Sequence, residues 1–124
     1  MLFRSASNGP LITATSNDVG YEYVFSDQLY CLGGMGGLAI AVSSSGNSPN
    51  ITRGLLFAKD MGLKAIALVG FDGGAVLRED LAHCIIHVDS TNYGIVEDTH
   101  MAILHILVQM IRKNFADEPE KLKL

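Results

Sequence analysis

Two short and almost entirely apolar segments, separated by a helical pattern, constrain the fold more than any other feature of the chain. They are LAIAVS (38–43) and KAIALVGF (64–71). Uninterrupted apolar runs of this length are typical of strands buried on both faces of a parallel sheet. Between them, residues 49–62 place apolar side chains on one side of a helix, at Ile51, Leu55, Ala58 and Met61. This order predicts a β-α-β unit and therefore an α/β domain.

The remaining segments extend the same alternation and predict a three-layer α/β/α sandwich with a parallel sheet. We expect a strand at 10–15, a helix at 20–32, a turn at 33–37, a short helix at 75–82, a strand at 84–88 and a long helix at 92–115. Ligands of such sheets bind beyond the carboxyl ends of the strands. The loops predicted at those ends are 16–20, 43–48 and 71–74.

Composition excludes several classes of protein. The 124 residues suffice for one domain, and 48% of them are hydrophobic, which favours a packed core. The net charge of −4 argues against nucleic acid as a partner. His105 and Gln109 interrupt the longest apolar stretch and no signal peptide is visible, so we expect no membrane partner. Cys31 and Cys84 lie far apart in apolar runs, which predicts buried free thiols and a cytoplasmic location.

The predicted helix at 92–115 carries apolar residues around nearly its whole circumference. A helix that is apolar on all sides is buried on all sides. One sheet in a chain of this size covers only one side of it. We therefore expect a homo-oligomer formed through this helix.

A serine-rich loop follows the first predicted strand of the β-α-β unit. Ser43-Ser44-Ser45-Gly46-Asn47 leads into Ser48-Pro49, a hydroxyl and a proline typical of the start of a helix. Hydroxyls and backbone N–H groups at the positive end of a helix suit a phosphate group. The loop has no lysine, which excludes a P-loop and favours a phosphomonoester such as a sugar phosphate. A polar turn with a good helix cap is the alternative interpretation.

The histidines and glycines admit more than one interpretation. Glu97 and His105 are two turns apart and about 80° apart around a helix, so both can face one pocket. His100 competes, because its spacing from Glu97 also suits a metal; a lone histidine in an apolar helix is more often a core or interface residue. His83 and His87 are interpreted as surface residues of an edge strand.

The glycines of 33–37 precede their strand, which excludes a dinucleotide fingerprint, while Asp72-Gly73-Gly74 fits either a pocket wall or a turn.

Four segments in order resemble the sugar isomerase (SIS) domain family, and within it the phosphoheptose isomerase subfamily. They are SNDVGYEYVF, SSSGNSPN, MGLKAIALVGFDGG and VEDTHMAILHILVQMI, and the similarity extends from Leu11 to Phe115. This resemblance implies that the serines hold the phosphate and that Asn17 and Asp18 contact the sugar hydroxyls. It also implies that His105 is a zinc ligand and catalytic in proton transfer. Glu97 stands where the subfamily has a glutamine that binds metal and substrate. The implied phosphate-binding residues are Ser43, Ser44, Ser45 and Ser48.

The activity implied is the conversion of sedoheptulose 7-phosphate to D-glycero-D-manno-heptose 7-phosphate through an enediol, in lipopolysaccharide heptose biosynthesis. The resemblance further implies one zinc ion per site and a cytoplasmic homotetramer. The alternative is a non-catalytic SIS module that binds a phosphosugar or a replication-initiator protein.

The family has further N-terminal helices, a central strand with an Asn-Gly-Gly-Ser loop, and a helix bearing a histidine and a glutamate, none of which matches this chain. We therefore expect 1–10 to be an unstructured start, 11–115 a partial SIS domain truncated at its N-terminus, and 116–124 a flexible tail. The chain alone is expected to be weakly active or inactive.

Overall fold

The computed structural model describes residues 8–32 and 36–117 of the chain. A 3₁₀ helix, Tyr21–Tyr23, joins the first two α-helices. The elements in chain order are α1 (Gly9–Asp18), α2 (Val24–Leu32), β1 (Leu38–Ser43), α3 (Pro49–Asp60), β2 (Lys64–Val69), α4 (Gly74–Arg78), β3 (Cys84–His87) and α5 (Tyr93–Asp117).

The three strands form one parallel sheet in the order β1-β2-β3. Leu38 pairs with Lys64 at the start of β1 and β2, and Ile66 pairs with Cys84 at the start of β3. Helices α3 and α4 make the crossovers between neighbouring strands. The predicted parallel sheet flanked by helices is confirmed.

The core lies on the face of the sheet that α3 and α4 cover. The side chains of β2 on this face are small, Ala65, Ala67 and Val69, and they are buried. Small side chains allow the helices to approach the sheet closely, and burying their apolar surface stabilises the domain. The rest of this cluster comes from the helices and from the turn after α4, at Leu55, Val76, Leu81 and Ala82.

The opposite face of the sheet is less well covered at β1. The large aliphatic side chains of this strand, Leu38, Ile40 and Val42, are exposed. They pair in register with Lys64, Ile66 and Leu68, the β2 residues on the face opposite the core cluster. No strand among residues 8–32 and 36–117 pairs with the outer edge of β1. The sheet therefore ends in an apolar, unpaired edge strand.

Helix α5 touches the domain mainly near its start. Val96 is fully buried, and its side chain occupies the space that a Cβ at Gly70 would need. Beyond that contact the larger apolar side chains of α5 are mostly exposed, namely Tyr93, Ile95, Met101, Ile106, Val108 and Met110. The predicted long helix is confirmed, and most of its apolar surface has no partner in the described part of this single chain.

Helix α5 is also long and apolar enough to cross a membrane, judged by length and composition alone. The segment Tyr93–Asn114 contains an 18-residue stretch with a mean hydropathy of 1.2, of which 11% is buried. Apolar helices that pack against another protein surface meet the same two criteria, so these properties alone do not assign a membrane location.

The strand predicted at 10–15 is wrong, because these residues belong to helix α1. The side chain of Asn8 caps this helix, with its Oδ1 accepting a hydrogen bond of 3.1 Å from the backbone N–H of Leu11. Pro10 lies in the first turn, where its missing N–H costs no hydrogen bond. These start signals outweigh a weak alternation of apolar and polar residues.

The predicted burial of the two cysteines is also wrong. Cys31 and Cys84 are free, as expected, but both are exposed. Cys31 lies in the last turn of α2, and Cys84 begins β3, an outer strand of the described sheet. An apolar run does not guarantee burial when its strand or helix end lies at the rim.

Several predictions lie at or beyond the limits of the described residues. Residues 1–7 of the predicted unstructured start, 33–35 of the turn and 118–124 of the predicted tail lie outside them. Within them, α1 already includes Gly9 and Pro10. Helix α4 is shorter than predicted and ends at Arg78, shortly before Asp80 adopts a positive φ of 50°.

Candidate functional site

The serine loop lies at the carboxyl end of the sheet, where an α/β fold binds ligands. β1 ends at Ser43, and α3 begins at Pro49 with Ser48 as its N-cap residue. The loop that follows β2, residues 70–74, lies directly against it. The fold therefore brings together two of the three loops singled out from the sequence.

Hydrogen bonds within the serine loop leave its hydroxyl protons available. The Oγ of Ser43 accepts from the backbone N–H of Gly46 at 3.1 Å. The Oγ of Ser45 accepts from the N–H of Asn47 at 3.3 Å. A hydroxyl that accepts a hydrogen bond still has its own proton to donate. Ser48 makes no side-chain capping hydrogen bond at α3, so its hydroxyl is not used to cap the helix.

The loop after β2 fixes the serine loop by direct backbone contacts. The carbonyl oxygen of Ser44 accepts from the N–H of Gly70 at 2.9 Å, and that of Gly46 accepts from the N–H of Val76 at 3.1 Å. Gly46 has a φ of +65°, and a Cβ there would overlap the carbonyl of Gly73. Two loops that interlock in this way hold the serines in one arrangement before any ligand binds.

An open cleft of about 360 Å³ lies over the serine loop. All four predicted phosphate-binding serines line it: Ser43, Ser44, Ser45 and Ser48. No lysine, arginine or carboxylate of the described residues is among its lining residues, which are completed by Phe25, Val42, Asn50, Ile51 and Tyr93. With neutral donors and the positive end of α3 at its base, the cleft suits a small anion such as a phosphate group.

Sequence reasoning missed the aromatic part of this cleft. Phe25 comes from α2 and Tyr93 from the start of α5, far from the loop in sequence. The strand and helix order could have indicated that α5 begins near the carboxyl end of the sheet. No local signal distinguishes Tyr93 from the other exposed apolar residues of that helix.

The predicted sugar-binding pair lies apart from the lining of this cleft. Asn17 and Asp18 are exposed at the end of α1, and the Nδ2 of Asn17 donates to the Oδ1 of Asp18 at 3.0 Å. Neither residue is among those that line the serine cleft.

Glu97 and His105 are both exposed on α5, at very different distances from the cleft. The helix rises 1.5 Å per residue, so Glu97 lies about 6 Å along the axis from Tyr93, while His105 lies about 18 Å away. Glu97 is therefore the nearer of the two to the start of α5, where Tyr93 lines the cleft. Neither Glu97 nor His105 is among the residues that line it.

The residues present do not by themselves fit a zinc site. Glu97 and His105 are about 12 Å apart along α5, and the described residues contain no group of three potential ligands placed to hold a metal ion. Zinc takes three protein ligands in catalytic sites and four in structural ones. One copy of the described chain thus supplies at most two separated donors.

The other three histidines are either buried in α5 or lie beside backbone groups of β2 and the loop that follows it. His100 is only 2% exposed, and neither ring nitrogen has a hydrogen-bond partner among the described residues. His87 ends β3 and His83 immediately precedes this strand, and both are exposed, as predicted. The Nδ1 of His83 accepts from the N–H of Ala65 at 3.2 Å, and the Nε2 of His87 lies 2.8 Å from the carbonyl oxygen of Phe71.

A second and larger cavity, of about 710 Å³, lies between α1, α2 and α3. Its lining is largely apolar and includes Tyr30, Cys31 and Arg53, whose guanidinium lies 4.4 Å from the ring centroid of Tyr23. None of the predicted site residues lines it, and we assign it no chemistry.

Comparison with curated proteins finds relatives among the phosphoheptose isomerases. The chain is 40% identical to the phosphoheptose isomerase of Vibrio cholerae over 106 residues, which are 85% of this chain and 54% of that protein. It is 36% identical to a probable phosphoheptose isomerase of Thermoplasma volcanium over 104 residues, or 84% and 52% of the two chains. This chain spans about half the length of the curated relatives that it matches. No protein-family model matches it.

Solved structures give the same result for the fold. A phosphoheptose isomerase from Francisella tularensis superposes with a TM-score of 0.79 at 30% identity, covering 85% of this chain and 56% of that one. The phosphoheptose isomerase from Neisseria gonorrhoeae gives a TM-score of 0.81 at 28% identity, with 86% and 59% coverage.

Proposed function

We propose that this chain, a relative of the phosphoheptose isomerases over about half of their length, supplies the phosphate-binding part of an aldose–ketose isomerase. The proposed substrate is sedoheptulose 7-phosphate, and the product is D-glycero-D-manno-heptose 7-phosphate, a precursor for lipopolysaccharide. The comparisons name isomerases and do not favour the alternative of a non-catalytic SIS module.

The observation that carries this proposal is the arrangement of Ser43, Ser44, Ser45 and Ser48 around one cleft. A phosphate at the base of this cleft would accept hydrogen bonds from hydroxyls whose protons are not required elsewhere in the loop. Neutral donors bind the anion without a cation, which favours reversible binding of a monoester. The phosphate is remote from the reacting carbons and its binding energy would orient them.

Isomerisation requires a proton to move between C1 and C2 of the sugar through an enediol. The candidate group for this proton transfer is His105, and Glu97, one turn along α5 from Tyr93, is proposed to contact the substrate. Because His105 lies about 18 Å along α5 from Tyr93, we propose that it serves the cleft of a second copy. We also propose that Asn17 and Asp18 contact the sugar hydroxyls.

The second copy is also the proposed cover for α5. Apart from Tyr93, which lines the serine cleft, the exposed apolar side chains of this helix extend from Ile95 to Met110. A homotetramer would bury them in the manner expected of obligate interfaces. Size-exclusion chromatography with light scattering tests this point. Ile106→Lys should convert the oligomer to smaller species, whereas Gln109→Lys, on an exposed polar position of the same helix, should leave it intact. An oligomer that tolerates Ile106→Lys contradicts the proposal.

Zinc is proposed for the assembled enzyme only, with Glu97 and His105 as two of its ligands and the others from outside the described residues. Metal analysis of the purified protein should find about one zinc per chain, lost in His105→Ala and kept in His83→Ala. We propose a cytoplasmic location, for which cell fractionation should find the protein in the cytosolic fraction.

Titration calorimetry with sedoheptulose 7-phosphate tests the phosphate cleft itself. Ser45→Ala and Ser48→Ala should each weaken binding by roughly tenfold or more, the cost of one hydrogen bond to a charged group. Thr13→Ala removes an exposed hydroxyl on α1, whose proton is donated to the carbonyl of Pro10, and should leave the affinity unchanged. Equal affinity in all three variants would contradict the proposed function. Without its partner groups, this chain alone should show little turnover.

A further inference from the structure

The serine cleft has a polar base and an aromatic wall, and the wall has no role in binding phosphate. Tyr93 is 60% exposed and lines the cleft beside the serines. It is the first residue of α5, which Asn92 caps through its Oδ1 on the N–H of Ile95 at 3.2 Å. The helix start thus fixes the backbone of Tyr93 at the cleft.

The ring of Tyr93 is held from behind by Phe71. The two ring centroids are 4.7 Å apart and the rings are nearly perpendicular, at 85°. Such edge-to-face pairs stabilise by about 0.5–1.5 kcal/mol beyond the burial of their area. Phe71 supports one edge-to-face contact, and more than half of the Tyr93 side chain stays open to solvent.

Phe71 is itself fixed by two hydrogen bonds. Its N–H donates to the carbonyl of Ser90 at 3.0 Å, and its carbonyl oxygen accepts from the Nε2 of His87 at 2.8 Å when that nitrogen carries the proton. These contacts hold Phe71 at a φ of 51°, which is uncommon for a residue with a large side chain. A backbone in this region persists only where surrounding contacts hold it, so the two hydrogen bonds fix the position of Phe71 behind Tyr93.

We infer that Tyr93 is a specificity-determining residue, which selects a phosphorylated carbon chain over bare phosphate. The argument rests on the proposed function, because the serines must first hold the phosphate. An aromatic face packs against the C–H groups of a polyhydroxylated chain while its hydroxyl group reaches solvent or sugar oxygens. Binding sites commonly combine a few polar anchors with such apolar walls to orient a ligand.

Calorimetry with two probes, inorganic phosphate and sedoheptulose 7-phosphate, tests this inference in the full chain. Tyr93→Ala should weaken sugar phosphate binding by about tenfold and change phosphate binding by less than twofold. Tyr93→Phe should keep most of the sugar phosphate affinity, because it keeps the ring. Tyr30→Ala, which removes a tyrosine that is 73% exposed on α2, is the matched control and should change neither affinity.

The outcomes separate this inference from the proposed function. If the unmodified protein binds neither probe, the phosphate cleft and everything built on it are wrong. If it binds both and Tyr93→Ala matches it for sugar phosphate, only the role of Tyr93 is wrong. An equal loss for both probes would show a structural role and would also overturn the inference. Should Tyr93→Ala fail to fold in a thermal melt, Tyr93→Leu preserves an apolar contact with Phe71 and must show the same selective loss.

Discussion

The side-chain oxygen of Asn47 accepts a hydrogen bond of 2.8 Å from the backbone N–H of Ala75, 28 positions further along the chain. Ala75 lies in α4, so this bond joins the serine loop to the helix that follows β2. The Nη2 of Arg78 lies 3.5 Å from the same oxygen. A loop built from serines and a glycine has little stiffness of its own, and this bond anchors its centre to a regular element.

Replacement of Asn47 should therefore loosen the serine cleft. We expect Asn47→Ala to lower the free energy of unfolding by about 1 kcal/mol, the net value of one hydrogen bond, and to weaken sugar phosphate binding. Asn47→Asp keeps the acceptor and should retain the stability. Its carboxylate adds negative charge beside the proposed phosphate, so it should still weaken binding. Urea denaturation and calorimetry measure the two effects; identical stability of Asn47→Ala and the unmodified protein would contradict the anchoring role.

The interlocked loops should tolerate no side chain at Gly74. Its φ is +56°, and a Cβ there would overlap the carbonyl of Ser45. We expect Gly74→Ala to cost about 3 kcal/mol, from strain and from displacement of the serine loop. Gly62 is the matched control, since its φ is +69° but nothing lies within 4 Å of its Cβ position.

Gly62→Ala should cost only about 1 kcal/mol, the strain of a left-handed backbone alone. Urea denaturation of both variants gives the comparison. Similar losses in the two proteins would mean that the backbone of the 70–74 loop yields to the added carbon, and that the interlock does not fix the serines.

The unpaired edge of β1 should drive self-association of this chain. Ile40 is 42% exposed on an edge strand whose neighbours Leu38 and Val42 are also exposed. Flat apolar edges pair with other chains unless a charge or a covering element prevents it. We expect Ile40→Lys to reduce the light scattering of a concentrated solution.

A control for this effect is Leu56→Lys, at a leucine that is 46% exposed on α3. It adds the same charge and removes a similar apolar area, but it is not on a strand edge. If both variants reduce scattering equally, net charge and not the edge of β1 governs association.

The sequence predicted those elements of the fold that are determined by local patterns of apolar residues and by helix-start residues. The strands at 38–43 and 64–69 and the helix between them are set by local apolar runs and by Ser48-Pro49, so they were predicted to within a few residues. The four serines line one cleft because a loop between a strand and a helix must lie at the carboxyl end of the sheet. The strand at 10–15 was wrong, since the capping role of Asn8 was not recognised.

The parts of the site that depend on tertiary contacts could not be predicted. Tyr93 reaches the cleft because α5 starts beside the loop after β2, which no local pattern encodes. The periodicity of α5 placed Glu97 and His105 on related faces, but it said nothing of their distances from the serines along the axis. The exposure of Cys31 and Cys84 likewise follows from their positions at a helix end and on an outer strand.

His100 provides a last prediction, because it is buried without a hydrogen bond. Neither its Nδ1 nor its Nε2 has a partner in the described part of the chain, and the side chain follows Val96 by one turn on the buried side of α5. A buried polar group without a partner costs about 1–3 kcal/mol. Leucine has a similar volume and no polar atoms, so His100→Leu should leave the free energy of unfolding of this chain unchanged or raise it by about 1 kcal/mol.

His83→Leu is the opposite case and serves as the control. Its Nδ1 accepts a hydrogen bond from the N–H of Ala65, and its loss should lower the free energy of unfolding by about 1 kcal/mol. Both variants are measured by urea denaturation at the same pH. If His100→Leu loses as much stability as His83→Leu, the imidazole of His100 has a bonding partner in solution, such as a bound water or a group outside the described residues.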